Sequence, residues 1–283
     1  MTPLCLNKIR RDVLKSLHFP ENVEYLICSD FDETFFAHDL SNPEDVLALD
    51  AFLEQNVVAK GILFGIISAS TKEMIEACFD KGNYRHYPHF ISTNSGTEIY
   101  YVKNKKLIRD ETYHNKFQQL NFDKRVILNI EEQLKQQNID LITQTPFENA
   151  PFSRNYYYCS LGEQDAENID IIKTTGKKHN FIVNVSKCNP KIGDPENHYD
   201  VDFYPSIAGK HAVVQYLMDK FNIDRDHTFA FGDSGNDLLM LNSVKHGYLV
   251  SNATEEAKSK YKHHTNSPYN RGILEGLQHY FKE

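Results

Sequence analysis

The sequence lacks the marks of several protein classes. Its 283 residues hold five cysteines, Cys5, Cys28, Cys78, Cys159 and Cys188, widely spaced and without a CxxC pair. An odd, scattered set supports neither a disulfide framework nor a cysteine zinc site, and it points to a reducing cytoplasm. No apolar run approaches the ~20 residues that a membrane helix needs, so no membrane partner is expected. The stretch "MTPLCLNKIRRDVLKSLHFP" has no apolar core of the kind a secretion signal carries. Basic charge is scarce as well: Lys plus Arg total 31 against 39 Asp plus Glu, a formal charge of −8. That removes the basic footprint of a nucleic-acid binder. An acidic chain that handles an anion needs local positive charge or a metal ion at its site. Gly/Ser linkers, low-complexity tracts and internal repeats are missing. Histidine is plentiful at 13 residues, His263 and His264 included, yet it forms no spaced ligand set.

What is present is an alternation of apolar runs and amphipathic stretches. Leu4, Ile9, Val13, Leu14 and Leu17 recur at roughly helical spacing, which predicts a covering helix ended by Pro20. "YLICS" reads as a strand buried on both faces. Ser41 with Glu44, and Ser70 with Glu73, have the spacing of capping boxes that open helices. "GILFGIIS" and "HFISTNSGTEIYYV" supply two more strand-like runs. Strand, helix, strand, helix, strand predicts βαβ units and a parallel sheet. From about Asp110 the order becomes α-β-β-α-β-β, which predicts a separate layer with an antiparallel sheet and helices on one face. After Ala208 the alternating pattern returns. The expected organisation is a first core segment over 1–109, an insert over 110–205, and a second core segment over 206–283.

Three apolar runs end in polar residues: Asp30, Ser68 and Asp233. Ligands of open α/β sheets bind at those strand ends. Asp32 lies two residues past Asp30 and Asp237 four past Asp233. Gly232 and Gly235 are expected to let the chain turn tightly around Asp233. Two like charges about 4 Å apart repel by roughly 4 kcal/mol at an effective dielectric of 20. A cluster of Asp30, Asp233 and Asp237 therefore calls for a cation, and oxygen ligands alone favour Mg²⁺. Singly, each of these residues is an ordinary cap, turn or solvated side chain. Their order along the chain is what carries weight.

That order resembles the haloacid-dehalogenase superfamily of phosphatases. "DFDET", Asp30 to Thr34, stands at its first motif, Ser68 at the second, Lys210 at the third, and "GDSGND", Gly232 to Asp237, at the fourth. The insert resembles the C2B cap of the Cof and sucrose-phosphate phosphatase branch, as does "VSNATEEAK". The implied fold is α/β: a Rossmann-like parallel-sheet core with an inserted α+β cap. The resemblance implies Asp30 as nucleophile and Asp32 as general acid and base. It implies Mg²⁺ held by Asp30, Asp233, Asp237 and the backbone carbonyl of Asp32. Thr34 would orient the loop and stand with Ser68, Lys210 and Asn236 on the phosphate side. Many relatives have Thr-Gly at the second motif, where this chain has Ser68 and Ala69.

"YPHFISTNSGTEI" and "CNPKIGDPENHYDVDFYP" carry a closer likeness, to phosphatases of amino-hexose 6-phosphates such as kanosamine 6-phosphate. The expected partner is thus a small sugar phosphate, and the chain is expected as a monomer or homodimer. Asp194, Asp200 and Asp202 are candidates to bind a sugar ammonium, and Asn189 to bind a hydroxyl. A sucrose-phosphate-type phosphatase of another sugar, a sugar phosphomutase and a sugar-phosphate sensor remain alternative readings.

Overall fold

The computed structural model describes residues 14–120, 124–190 and 193–281. In chain order the first segment contains β1 (Lys15–Ser16), β2 (Tyr25–Asp30), α1 (Pro43–Asn56), β3 (Ile62–Ile67), α2 (Lys72–Lys81), β4 (His86–Tyr87), β5 (Phe90–Thr93), β6 (Glu98–Lys103) and β7 (Lys106–Arg109). The insert contains α3 (Glu111–Gln118), α4 (Lys124–Lys135), β8 (Leu141–Thr143), β9 (Arg154–Cys159), α5 (Asp165–Lys178), β10 (Phe181–Lys187) and β11 (His198–Pro205). The last segment contains α6 (Lys210–Phe221), β12 (Thr228–Gly232), α7 (Leu238–Ser243), β13 (His246–Leu249), α8 (Glu255–Lys260) and α9 (Tyr269–Phe281). Two compact units result. One joins the described residues up to Asp110 with those from Lys210 onward, and the other is Glu111–Gly209.

In the first unit seven of the described strands form a sheet in the order β13-β12-β2-β3-β5-β6-β7, and β1 pairs with β4 apart from it. The pairs from β13 to β5 are parallel, and β6 and β7 run antiparallel at one edge. Leu26, Ile27 and Cys28 of β2 are fully buried, which explains the unbroken apolar run: both faces are covered. An aromatic group, Phe31, Phe35, Phe36, Phe64 and Phe79, packs under one face. Burial of each such ring contributes roughly 1.5–3 kcal/mol. The chain moves outward from β2 to β3 and β5, then returns to place β12 on the other side of β2. The order therefore reverses between β2 and β12, the kind of position where open α/β sheets bind ligands.

In the insert the sheet order is β10-β11-β9-β8, antiparallel throughout. Ile127, Ile130 and Leu134 of α4 and Ile172 of α5 pack on Tyr156, Tyr158, Val201 and Phe203. One sheet face is thus covered by helices. Asn155, Tyr157, Asp200 and Asp202 alternate with those core residues and belong to the opposite face.

Several local expectations are corrected. Leu14 to Leu17, the end of the expected N-terminal helix, contain the short strand β1 instead, paired parallel with β4. The rest of that stretch lies outside the described residues. Neither expected capping box forms. Asn42 precedes α1 without a side-chain cap and Pro43 takes the first turn, while Thr71 rather than Ser70 caps α2 by accepting from the Met74 N–H. "HFISTNSGTEIYYV" is not one strand but a hairpin. Asn94, Ser95 and Gly96 take positive φ values of 51°, 56° and 77° and reverse the chain. The two flanking runs then pair as β5 and β6.

Candidate active site

The strand ends that the sequence singled out are neighbours. Asp30 ends β2 and pairs in register with Ile67, the residue before Ser68. Asp233 follows β12, which pairs with β2 on the other side. A Cβ at Gly232 would meet the Cβ of Asp237 at 2.4 Å, so no larger residue fits where the chain turns into the acidic loop. Gly235 has open space around it and no positive φ, so the turn does not require glycine there, contrary to expectation. The loop closes instead through a capping box between Ser234 and Asp237.

Asp30, Asp233 and Asp237 each bring one carboxylate oxygen into a group whose atoms all lie within 4.8 Å of one another. The Lys210 ammonium, at the start of α6, donates to Asp30 Oδ1 at 2.5 Å and to Asp237 Oδ1 at 2.7 Å. Gly209, with φ at 110°, sets up this entry into the helix. Asn236 Oδ1 lies 3.5 Å from the same ammonium and accepts from the Ser234 hydroxyl. Asp237 is fully buried, and its Oδ2 accepts from the backbone N–H groups of Asp233 and Ser234. Thr34, expected on the phosphate side and as a loop orienter, is fully buried and donates to Asp233 Oδ1 at 3.2 Å. Its hydroxyl is directed at a carboxylate.

The electrostatics follow from this crowding. Burial and then Asp237 push the Asp30 carboxyl well above its ordinary range, against the pull of Lys210. Burial and Asp237 likewise push Asp233 up to about 7. Burial opposes the Lys210 charge, but Asp237 and Asp30 outweigh it and keep the ammonium protonated. Full ionisation of the three carboxylates against one ammonium would leave two negative charges in a buried place, which is why Asp30 and Asp233 are pushed up. The donors are all oxygen, and the residual charge matches a divalent cation. The residues fit Mg²⁺ or a similar hard ion.

Asp32 and Ser68 form a second group beside the first. Asp32 Oδ2 accepts from the hydroxyls of Ser68 and Ser70, each at 3.0 Å. Its Oδ1 lies 2.8 Å from His38 Nε2. Burial works to raise this carboxyl, but His38 and the two hydroxyls prevail and hold it below the ordinary range. The Ser70 N–H returns a bond to Ser68 Oγ at 2.9 Å, which makes "SAS" a closed turn. Ala69 takes no part in these bonds.

On the sheet face of the insert opposite α4 and α5, Asp202 Oδ1 accepts from Asn155 at 2.6 Å and Asp200 Oδ1 from Gln144 at 2.8 Å. Asp194 accepts from Tyr157 at 3.2 Å and from the Asn189 backbone N–H at 3.0 Å. The four expected substrate residues thus lie in one region, with Tyr157, Gln144 and Asn155 as unforeseen members. Asp194 and Asp200 also share a 4.8 Å neighbourhood with Cys188. Burial, then Asp202 and Asp194, push Asp200 up to about 7.

The pattern of the sucrose-6F-phosphate phosphohydrolase family matches residues 23–281. The chain belongs to that family. Among its relatives is a kanosamine-6-phosphate phosphatase of Bacillus subtilis, 35% identical over 273 residues, covering 95% of this chain and 97% of that one. An uncharacterised hydrolase of Staphylococcus aureus is 33% identical over 257 residues, 88% of this chain and 93% of its own. Among solved structures, the haloacid dehalogenase-like hydrolase yhjK from B. subtilis aligns over 99% of both chains with a TM-score of 0.75 and 34% identity. The sucrose-phosphatase of Synechocystis, in complex with sucrose and phosphate, aligns over 91% of this chain and 98% of that chain with a TM-score of 0.72. At 20% identity it supports the shared fold alone.

The family-like segment "VSNATEEAK" acts as a brace for both acidic loops. The Val250 and Thr254 N–H groups donate to the carbonyls of Gly232 and Asp233. Asn252 Nδ2 donates to the Glu33 carbonyl at 2.7 Å, and its Oδ1 accepts from the Tyr269 N–H. The Tyr269 hydroxyl then donates to the Glu33 carboxylate at 3.0 Å. Glu33 sits at a positive φ of 58°, so these bonds stabilise a strained turn right after Asp32.

Proposed function

We propose that this phosphatase hydrolyses a sugar phosphate, an amino-hexose 6-phosphate such as kanosamine 6-phosphate or a closely related hexose 6-phosphate. The observation that carries the reading is the buried Asp30 at the strand-order reversal, held by Lys210 beside Asp233 and Asp237. The 35% identical kanosamine-6-phosphate phosphatase supports the choice of substrate.

Asp30 acts as nucleophile: its carboxylate forms a bond to phosphorus as the bond to the sugar oxygen breaks, giving an aspartyl-phosphate. Asp32 gives its proton to the leaving oxygen and later takes one from the water that hydrolyses the intermediate. Arrival of a phosphate dianion raises Asp32 from its low resting value through repulsion, which favours the protonated form that the first step needs. Lys210 and Ser68 hold the phosphoryl oxygens, with Asn236 adding a hydrogen bond. The Lys210 ammonium stabilises charge there while it keeps Asp30 aligned. Asp30, Asp233 and Asp237, with the Asp32 carbonyl, would hold Mg²⁺, which supplies positive charge against the phosphate dianion. Asp194, Asp200 and Asp202 of the insert offer anionic partners for a sugar ammonium, and Asn189 one for a hydroxyl.

A phosphate-release assay over kanosamine 6-phosphate, glucose 6-phosphate and sucrose 6-phosphate, with Mg²⁺ or EDTA, tests the reading. Free phosphate from a hexose phosphate, dependent on Mg²⁺ and lost in Asp30→Asn with the fold retained by circular dichroism, is the expected result. An isomeric sugar phosphate without free phosphate identifies a mutase instead. Equal kcat/KM for the amino and hydroxy sugars removes the ammonium assignment.

A further inference from the structure

The loop after Asp30 turns back on itself. The N–H groups of Phe35 and Phe36 donate to the Phe31 carbonyl, and the Glu33 N–H donates to the Phe36 carbonyl. A bridge between Asp32 and Phe36 closes the turn. This fold brings His38, six residues along the chain, to within 2.8 Å of Asp32 Oδ1. The imidazole side chain is 16% exposed and packs edge-on against Phe36 at 5.0 Å between ring centres. Phe36 is itself buried in the aromatic core. The ring has little freedom to leave the carboxylate.

We infer that His38 is a positioning residue that aims the Asp32 carboxyl group at the leaving oxygen. Asp32 is about a quarter exposed, so its side chain needs restraint to keep one direction. Ser68 and Ser70 restrain one oxygen from the β3 side, and His38 restrains the other from its own loop. An ionised carboxylate only accepts, so His38 Nε2 carries the hydrogen in that state. Neither hydroxyl replaces this bond, because both engage Oδ2. In the transfer step the P–O bond to Asp30 forms, the P–O bond to the sugar breaks, and the Asp32 proton passes to the released oxygen. His38 exchanges no electron pair; it fixes where that proton is presented.

The inference rests on the acid role given to Asp32 above, and the experiment separates the two. Glucose 6-phosphate has a poor alkoxide leaving group that needs a proton, whereas p-nitrophenyl phosphate has a good one that does not. kcat/KM for both esters is measured in the native protein, His38→Phe, His38→Gln and Asp32→Asn, with Mg²⁺ present, alongside thermal unfolding. His38→Phe is expected to lower kcat/KM about 100-fold on glucose 6-phosphate and less than about threefold on p-nitrophenyl phosphate. His38→Gln, whose amide nitrogen reaches the position of Nε2, is expected to recover most of the loss. Asp32→Asn should show the same split, larger. An equal loss on both esters in His38→Phe, or no recovery in His38→Gln, overturns the inference. A missing split in Asp32→Asn overturns the acid role itself, and the inference with it.

Discussion

At the scale of single residues, Lys210 shows how charge decides the site. Its ammonium is buried between Asp30 and Asp237, and removing one partner of such a group leaves the others desolvated and unpaired. Lys210→Met is therefore expected to destabilise the metal-free protein by about 3–5 kcal/mol in urea unfolding with EDTA. It should also cost about 100-fold or more in kcat/KM with Mg²⁺, since the phosphoryl oxygens lose a cation. A variant within tenfold of the native rate would remove Lys210 from the phosphate side. Lys210, Asp30 and Asp233 were legible in the sequence because three strand ends and a helix start carried polar residues in a fixed order. His38, Ser70 and Glu33 were not. A histidine six residues past an aspartate has no spacing rule to mark it. Glu33 bonds to Tyr269, 236 residues along the chain, and no local pattern marks that contact.

At the scale of elements, the parallel character of the core sheet followed from buried apolar runs alternating with helices, whereas the strand order came only from the structure. Turn chemistry was read less well. The run from His89 to Val102 hid a hairpin because its three turn residues lie between two apolar halves. The capping boxes failed because Pro43 and Thr71 compete for the same helix starts and need no partner acid. In the insert, strand pairing sorts the tyrosines of β9: Tyr156 and Tyr158 enter the core, while Tyr157 joins the acidic face. That face leads to a prediction about pH. The Asp200 carboxyl is raised in the folded state, so the folded chain binds its proton more tightly than the unfolded chain does. Stability from this group is therefore lost as pH rises from about 4 towards about 7. Asp200→Asn lacks the proton and the loss. It should be more stable than the native protein by about 1–2 kcal/mol at pH 8, with the gap shrinking towards pH 5. Urea unfolding at the two pH values measures it, and a gap of equal size at both would contradict the assigned cause.

At the scale of the whole molecule, a chain with a formal charge of −8 gathers acids, among the described residues, into one group in each compact unit. They respond differently to a divalent cation if the one around Asp30 is built to hold it. In the metal-free protein Asp30 and Asp233 are both raised by burial and by Asp237. As with Asp200, their contribution to stability falls as pH rises through the interval between the unfolded and folded values. A bound divalent cation reverses the sign, because the ionised carboxylates become the favoured form and protons compete with the ion. Stabilisation by Mg²⁺ is thus expected to be small at pH 5 and to grow steadily to pH 8. At a hundredfold excess over the dissociation constant the gain is about 2.7 kcal/mol. Thermal unfolding of the native protein, Asp233→Asn and Asp200→Asn, with Mg²⁺ or EDTA from pH 5 to 8, separates the two places. Asp233→Asn should flatten the Mg²⁺-dependent slope, whereas Asp200→Asn should shift the Mg²⁺ and EDTA curves alike and leave the difference between them intact. A Mg²⁺ effect independent of pH, or one abolished by Asp200→Asn, would place the ion elsewhere and undo the assignment of the Asp30 cluster as its site.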